Sequence, residues 1–157
     1  MKNGFTMLEL LGAILIILIG VLTAYGVVQN IITYTIDSSD RIIAAYLAKE
    51  GVEIVRNIRD TNWVENNPNW DDGLAAGDWE VDYNTTGIIS DTYDGDFLKV
   101  DGNGFYNYST GELTKFQRRI GITPFGDDEI KIVVEVLWSK RGQSRNITVQ
   151  ENIYDWK

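Results

Sequence analysis

Carboxylates are the reactive groups that this sequence supplies in number: 23 Asp and Glu, against no histidine and no cysteine. Without imidazole or thiol there is no Ser-His-Asp or Cys-His nucleophilic catalysis, no thiolate chemistry and none of the usual zinc or haem ligands. Carboxylate, carbonyl and hydroxyl chemistry remains. The pairs Asp127 and Asp128, and Glu80 and Asp82, are residue types that a glycoside hydrolase uses as acid and base. Such a site depends on a carboxyl separation and a pocket that chain spacing does not supply, and no catalytic motif accompanies either pair, so the chain reads as a non-enzyme. Asp91, Asp94, Asp96 and Asp101 form a second group, in a glycine-bearing stretch. Their hard oxygens suit calcium, although the spacing is not that of an EF-hand. Asp and Gly are equally the residues of solvated turns. Turns are the reading adopted and no cofactor is expected, with calcium at these four residues as the alternative.

Glu9 differs from all of these in its surroundings. From Phe5 to Ile36 it is the only group charged at neutral pH, in a run dominated by Leu, Ile, Val and Ala and bounded by Lys2 and Asp37. As a helix these residues run about 48 Å, beyond the roughly 30 Å that a membrane span needs. The surplus apolar length calls for a tilt or a protein partner. A carboxylate within a span costs about 2.5 to 3.5 kcal/mol and is retained for a function or a partner. That partner must be a cation or a proton. No Lys or Arg lies between Lys2 and Arg41, so a cation one helical turn away is not available. A free α-amine at Phe5, exposed by removal of Gly4, supplies one. A secretory signal peptide would be cut after the apolar run, near Thr23 to Gly26, whereas the leader-like residues Met1-Lys2-Asn3-Gly4 precede it.

Lys2-Asn3-Gly4 followed by Phe5-Thr6-Met7-Leu8-Glu9-Leu10 and a long apolar helix resembles the class III leader of type IV prepilins and type II secretion pseudopilins. The resemblance implies cleavage between Gly4 and Phe5 by a membrane prepilin peptidase, N-methylation of Phe5, and pairing of Glu9 with the amino terminus of a neighbouring subunit. It implies a membrane-held single-pass precursor that later joins a surface filament or a periplasmic pseudopilus, with other pilin subunits as partners. Many members of that family carry a proline near mid-helix. Here Gly26 takes that place, with Gly20 and Ala24 at small-xxx-small spacing before it. Each glycine costs about 1 kcal/mol of helix propensity relative to alanine, and the resemblance places flexibility on assembly at Gly20 to Gly26. The segment from Ala48-Lys49-Glu50-Gly51 through Asn62-Trp63 also resembles one found in some minor-pilin-like proteins. Structural subunit, minor or tip adhesin, and type II secretion pseudopilin are the roles to be separated, and a surface or host ligand stays unidentified.

The elements that position these residues follow from patterning. After Asp37-Ser38-Ser39-Asp40 the apolar residues become periodic, at Ile43, Leu47, Ile54 and Ile58, with Arg41, Lys49, Glu53, Arg56 and Arg59 opposite. This is an amphipathic helix, with Gly51 in its stripe where a close backbone approach is wanted. The stretch from Trp63 to Gly77, rich in Asn, Asp and Gly, reads as a loop anchored by Trp63, Trp70 and Trp79. Alternating runs then predict strands at Trp79 to Tyr83, Phe97 to Val100, Phe105 to Tyr108, Phe116 to Thr123, Ile130 to Ser139 and Ile147 to Ile153. Turns are expected at Asp101-Gly102-Asn103-Gly104 and Arg141-Gly142-Gln143. The predicted fold is α+β: a leader at 1–4, a membrane helix at 5–36, its amphipathic continuation at 37–62, and an antiparallel β-sheet head at 63–157.

A net charge of −9 argues against a general phosphate-binding surface, so nucleic acid is not an expected partner. The charge is uneven, with eleven acids and one base from Asp60 to Asp101, against seven bases and four acids from Lys115 to Arg145. Complementary patches of this kind steer contacts between subunits. The basic side, with Phe116 and Trp138, is the one place where DNA contact is conceivable, and a solvated surface is the simpler reading. Asn84-Thr85-Thr86, Asn107-Tyr108-Ser109 and Asn146-Ile147-Thr148 match the N-glycosylation pattern, which is short enough to arise by chance.

Overall fold

A computed structural model describes residues 4, 6–65, 67, 69–85, 87, 89 and 91–155. It contains one helix, α1 (Met7–Val64), and six strands: β1 (Gly77–Trp79), β2 (Phe97–Val100), β3 (Tyr106–Asn107), β4 (Glu112–Phe125), β5 (Glu129–Lys140) and β6 (Gln143–Tyr154). The fold is α+β, as the patterning predicts. The chain divides into two compact units, residues 1–40 and 41–157.

The first unit holds the apolar part of α1. Its large side chains stand exposed, Leu8 at 84% and Ile16 at 72%, because this unit offers nothing to bury them against. Among the described residues α1 is the helix long and apolar enough to cross a membrane, by length and composition. The hydroxyls of Thr23, Thr33 and Thr35 donate to the carbonyls of Ile19, Gln29 and Ile31, four residues back. Polar groups satisfied within the helix are what a lipid environment demands.

The second unit packs the rest of α1 on an antiparallel sheet of order β3-β2-β4-β5-β6, with β1 also paired to β4. Alternation decides which residues face the helix. Ile130, Ile132, Val134, Val136 and Trp138 of β5 are buried, as are Phe116, Ile120 and Ile122 of β4. Against them lie Ala44, Leu47, Ala48, Val52, Ile54, Val55 and Ile58 of α1. The β5–β6 register runs without interruption from Glu129↔Tyr154 to Lys140↔Gln143. Its two-residue loop puts both Arg141 (φ 51°) and Gly142 (φ 77°) in the left-handed region, the tight hairpin geometry that matches strand twist.

Two expectations shift. The helix continues through Trp63 to Val64, with Trp63 buried and the Arg59 guanidinium 4.6 Å from its ring centroid. The run from Trp79 to Tyr83 is not a strand. β1 ends at Trp79, and beyond it Glu80 turns inward while the Asp82 carboxylate accepts from the Asn84 amide in a local turn. Trp70 and Trp79 do anchor the loop, donating from their indoles to the carbonyls of Asp127 and Ala75. From the end of the helix Asn62 holds the same loop by donating to the carbonyls of Trp70 and Asp72.

Gly51 is where helix and sheet come closest. A β-carbon there would lie 2.9 Å from Val134 Cγ1, 3.2 Å from Ile120 Cδ1 and 3.3 Å from Arg118 Cδ. Overpacking of a core costs about 1 to 3 kcal/mol, against the roughly 1 kcal/mol that alanine returns in helix propensity. We expect Gly51→Ala to destabilise the full-length chain in detergent by about 1 kcal/mol and Gly51→Leu by about 3 kcal/mol. Denaturant midpoints check this, and a more stable Gly51→Ala variant would show that the approach is not tight.

Candidate functional site

The first turn of α1 is built by Thr6. Its hydroxyl oxygen accepts from the Glu9 amide at 3.3 Å, and its carbonyl accepts from the amides of Glu9 and Leu10, both at 3.1 Å. Thr6 therefore caps the helix, and Glu9 stands three residues on, the Thr-x-x-Glu spacing of a capping box. A carboxylate in the first turn also meets the positive end of the helix dipole. Glu9 is exposed, and among the described residues no cation pairs with it. Gly4 is exposed too, while Phe5 lies outside the described residues.

Gly20 and Gly26 are helical, and a β-carbon at either, or at Gly12, would meet nothing within 4 Å. This chain's own packing thus gives no reason for glycine on that stretch. The first 25 residues match the family model described as the prokaryotic N-terminal methylation motif. This is the class III leader of type IV pilins and pseudopilins. The motif and the apolar helix behind it fit a membrane-anchored precursor and support a pilin-like or pseudopilin subunit. The methylation motif belongs to structural proteins and not to enzymes. No curated protein and no solved structure matches the chain, so beyond the leader the head speaks only through its own geometry.

In the head the acidic residues sort themselves by partner. Glu80 is buried, and its Oε1 accepts from the amides of Asp94 (3.2 Å), Gly95 (2.9 Å) and Asp96 (2.8 Å). Three donors converging on one carboxylate oxygen hold the loop around it and commit that oxygen to structure. Asp91, Asp94 and Asp96 surround the same carboxylate in a cavity of about 410 Å³, together with Thr92 and Tyr108. Asp101 is separately engaged, accepting from the amides of Asn103 and Phe105 to close the β2–β3 turn. Among the described residues no group of three or more carboxylates is arranged to hold a metal ion. Asp127 and Asp128 lie exposed on the β4–β5 turn.

Arg118 is the residue that sequence reasoning missed. It is 0% exposed on the helix side of β4. Its guanidinium donates to the Leu47 carbonyl (3.1 Å), to Glu50 Oε2 (3.2 Å) and to the Val81 carbonyl. Helix, sheet and the segment after β1 are thereby joined by one side chain. Above it the Tyr108 hydroxyl donates to the Arg118 carbonyl at 3.0 Å, and burial pushes the Tyr108 phenol well above its ordinary range, so it stays protonated as a donor.

Other sequence readings meet the structure less well. Phe116 and Trp138 are buried with ring centroids 6.1 Å apart, so neither is available to stack on DNA bases. Asn107 is buried, with its carbonyl oxygen accepting from the Ser109 and Thr110 amides, which closes it to glycosylation. Asn146 is exposed and donates to Glu135.

Glu80→Gln keeps the shape and removes the charge that strengthens the three loop bonds. We expect about tenfold faster amide exchange at Asp94, Gly95 and Asp96, corresponding to about 1.4 kcal/mol. Exchange should be unchanged at Ile132 and Val134 in the middle of β5. Unaltered protection at the three loop amides would mean that Glu80 does not hold the loop.

Proposed function

We propose that this protein is a structural subunit of a type IV pilus or a related filament. It is inserted in the cytoplasmic membrane, cut after Gly4 and N-methylated at Phe5. It is then assembled through the apolar helix, with Glu9 paired to the amino terminus of a neighbouring subunit. The observation that carries this reading is a single carboxylate in the leader's apolar helix with no cation of its own among the described residues. A desolvated carboxylate and an ammonium matched across an interface set axial register while the apolar faces pack laterally. The open surface at Gly20 and Gly26 supports the same reading, since small residues let neighbouring helices approach closely.

Mass spectrometry of the mature protein is the direct test. A chain beginning at methylated Phe5 is expected; an intact Met1, or a start near Gly26, would refute the processing. Glu9→Ala separates processing from assembly. Leader removal should proceed normally while incorporation into filaments falls at least tenfold, and incorporation at the normal level would remove the ion pair from the mechanism.

A further inference from the structure

Where α1 enters the head unit, Arg41, Trp138, Ser144, Arg145, Asn146 and Ile147 line a cavity of about 250 Å³. Trp138 and Arg145 are direct cross-strand partners on β5 and β6. Trp138 is 4% exposed, and its indole Nε1 is buried without an acceptor among the described residues; the Nε of Arg145 is buried and unsatisfied in the same way. The one hydrogen bond of Arg145 to a described side chain is long, 3.4 Å, from Nη2 to Gln143 Oε1. Leaving a buried donor without an acceptor costs about 1 to 3 kcal/mol. Arg41 adds a second guanidinium. It has an interaction of its own, but five N–H donors on one planar group allow several at once. Asp37 and Asp40, the acids nearest to it in sequence, have interactions of their own, although Asp40 Oδ2 is buried with no hydrogen-bond partner among the described residues. The wall thus carries two guanidinium groups, and an oxyanion is the ligand chemistry that complements them.

We propose that this cavity is a socket for a carboxylate side chain from the acidic Asp60–Asp101 region of a second copy of the chain. The proposal rests on the filament reading above. Charge complementarity selects the occupant: that region has eleven acids and one base, whereas Lys115 to Arg145 has seven bases and four acids. A guanidinium and a carboxylate pair with geometric specificity. A socket in one region and its plug in another also form a heterologous contact, which propagates into an open helical array where the rotation does not close. A filament needs such a contact, and a self-complementary dimer does not supply it.

Arg145→Glu and Arg145→Lys, made in the full-length chain in cells that assemble it, test the socket. The readouts are the mass of the mature amino terminus, the level in the membrane fraction and the yield of sheared filaments. Arg145→Glu is expected to keep processing and level while lowering filament yield at least tenfold, and Arg145→Lys to stay within about threefold of wild type. Filament yield within twofold of wild type for Arg145→Glu overturns the socket and leaves a free anion, or no ligand, in the cavity. Because the chain has no cysteine, Ser144→Cys can be combined with cysteine at each exposed acid between Asp60 and Asp101 in turn. At least one pair should give a ladder of disulfide-linked oligomers from filaments, and the absence of a ladder from every pair overturns the socket even if Arg145→Glu fails to fold. A wild-type chain whose leader is never removed overturns the filament reading itself, which the other outcomes do not touch.

Discussion

The head unit is organised by how closely α1 can lie on its sheet. At Gly51 the separation is set by hydrogen instead of a side chain, and the space beneath is filled by Val134, Ile120 and the aliphatic part of Arg118. That closeness brings the Leu47 carbonyl and the Glu50 carboxylate within reach of a guanidinium on the sheet. A buried arginine is costly unless its donors find acceptors. Here a helix carbonyl, a helix carboxylate and the Val81 carbonyl receive its two Nη groups, while its Nε is buried without a partner among the described residues. Burial of Arg118 and the glycine in the helix stripe are one solution, since a larger residue at 51 would lift the helix away from the charge that depends on it.

The two units carry opposite patterns. In the head, apolar residues alternate along β5 and recur every three or four residues on α1, because each element has one dry face. In the first unit apolar residues run all round the helix and stay exposed within the chain. From Phe5 to Ile36 the one carboxylate is Glu9, and the hydroxyls of Thr23, Thr33 and Thr35 are absorbed by the helix backbone. The family motif at residues 1–25 falls within the first unit.

Much of the head was legible in the sequence because its signals are local. The alternation Ile130, Ile132, Val134, Val136 and Trp138, the Arg141-Gly142 turn and the glycine in the helix stripe each contain their own explanation. Arg118 was half-legible: the spacing Phe116, Ile120, Ile122 places it on the inward face, but only the structure shows which carbonyls receive it. Glu80 carried no such signal, since the amides it holds come from a loop 14 to 16 residues away. Thr6 was legible and was missed, because the Thr-x-x-Glu spacing is overshadowed by the stranger fact of a glutamate in an apolar run. The Arg141-Gly142 turn sets Trp138 opposite Arg145, but only the structure shows that the Trp138 Nε1 and the Arg145 Nε are left without acceptors among the described residues.

The arrangement of β4, β5 and β6 sets how the head is able to fold. These are the three longest strands, and they follow one another in a meander joined by turns of two or three residues, so most of their contacts have low sequence separation. By contrast, the bond from Arg118 to the Leu47 carbonyl spans 71 residues. Topologies dominated by near neighbours form quickly, and distant closures bear the entropy of the loop they complete. The meander is therefore able to assemble with little reference to α1, and docking of the helix over Gly51 becomes the late, loop-closing event. For a chain whose helix begins with a stretch apolar enough to cross a membrane, this order lets the sheet take shape before the rest of the helix has to settle on it.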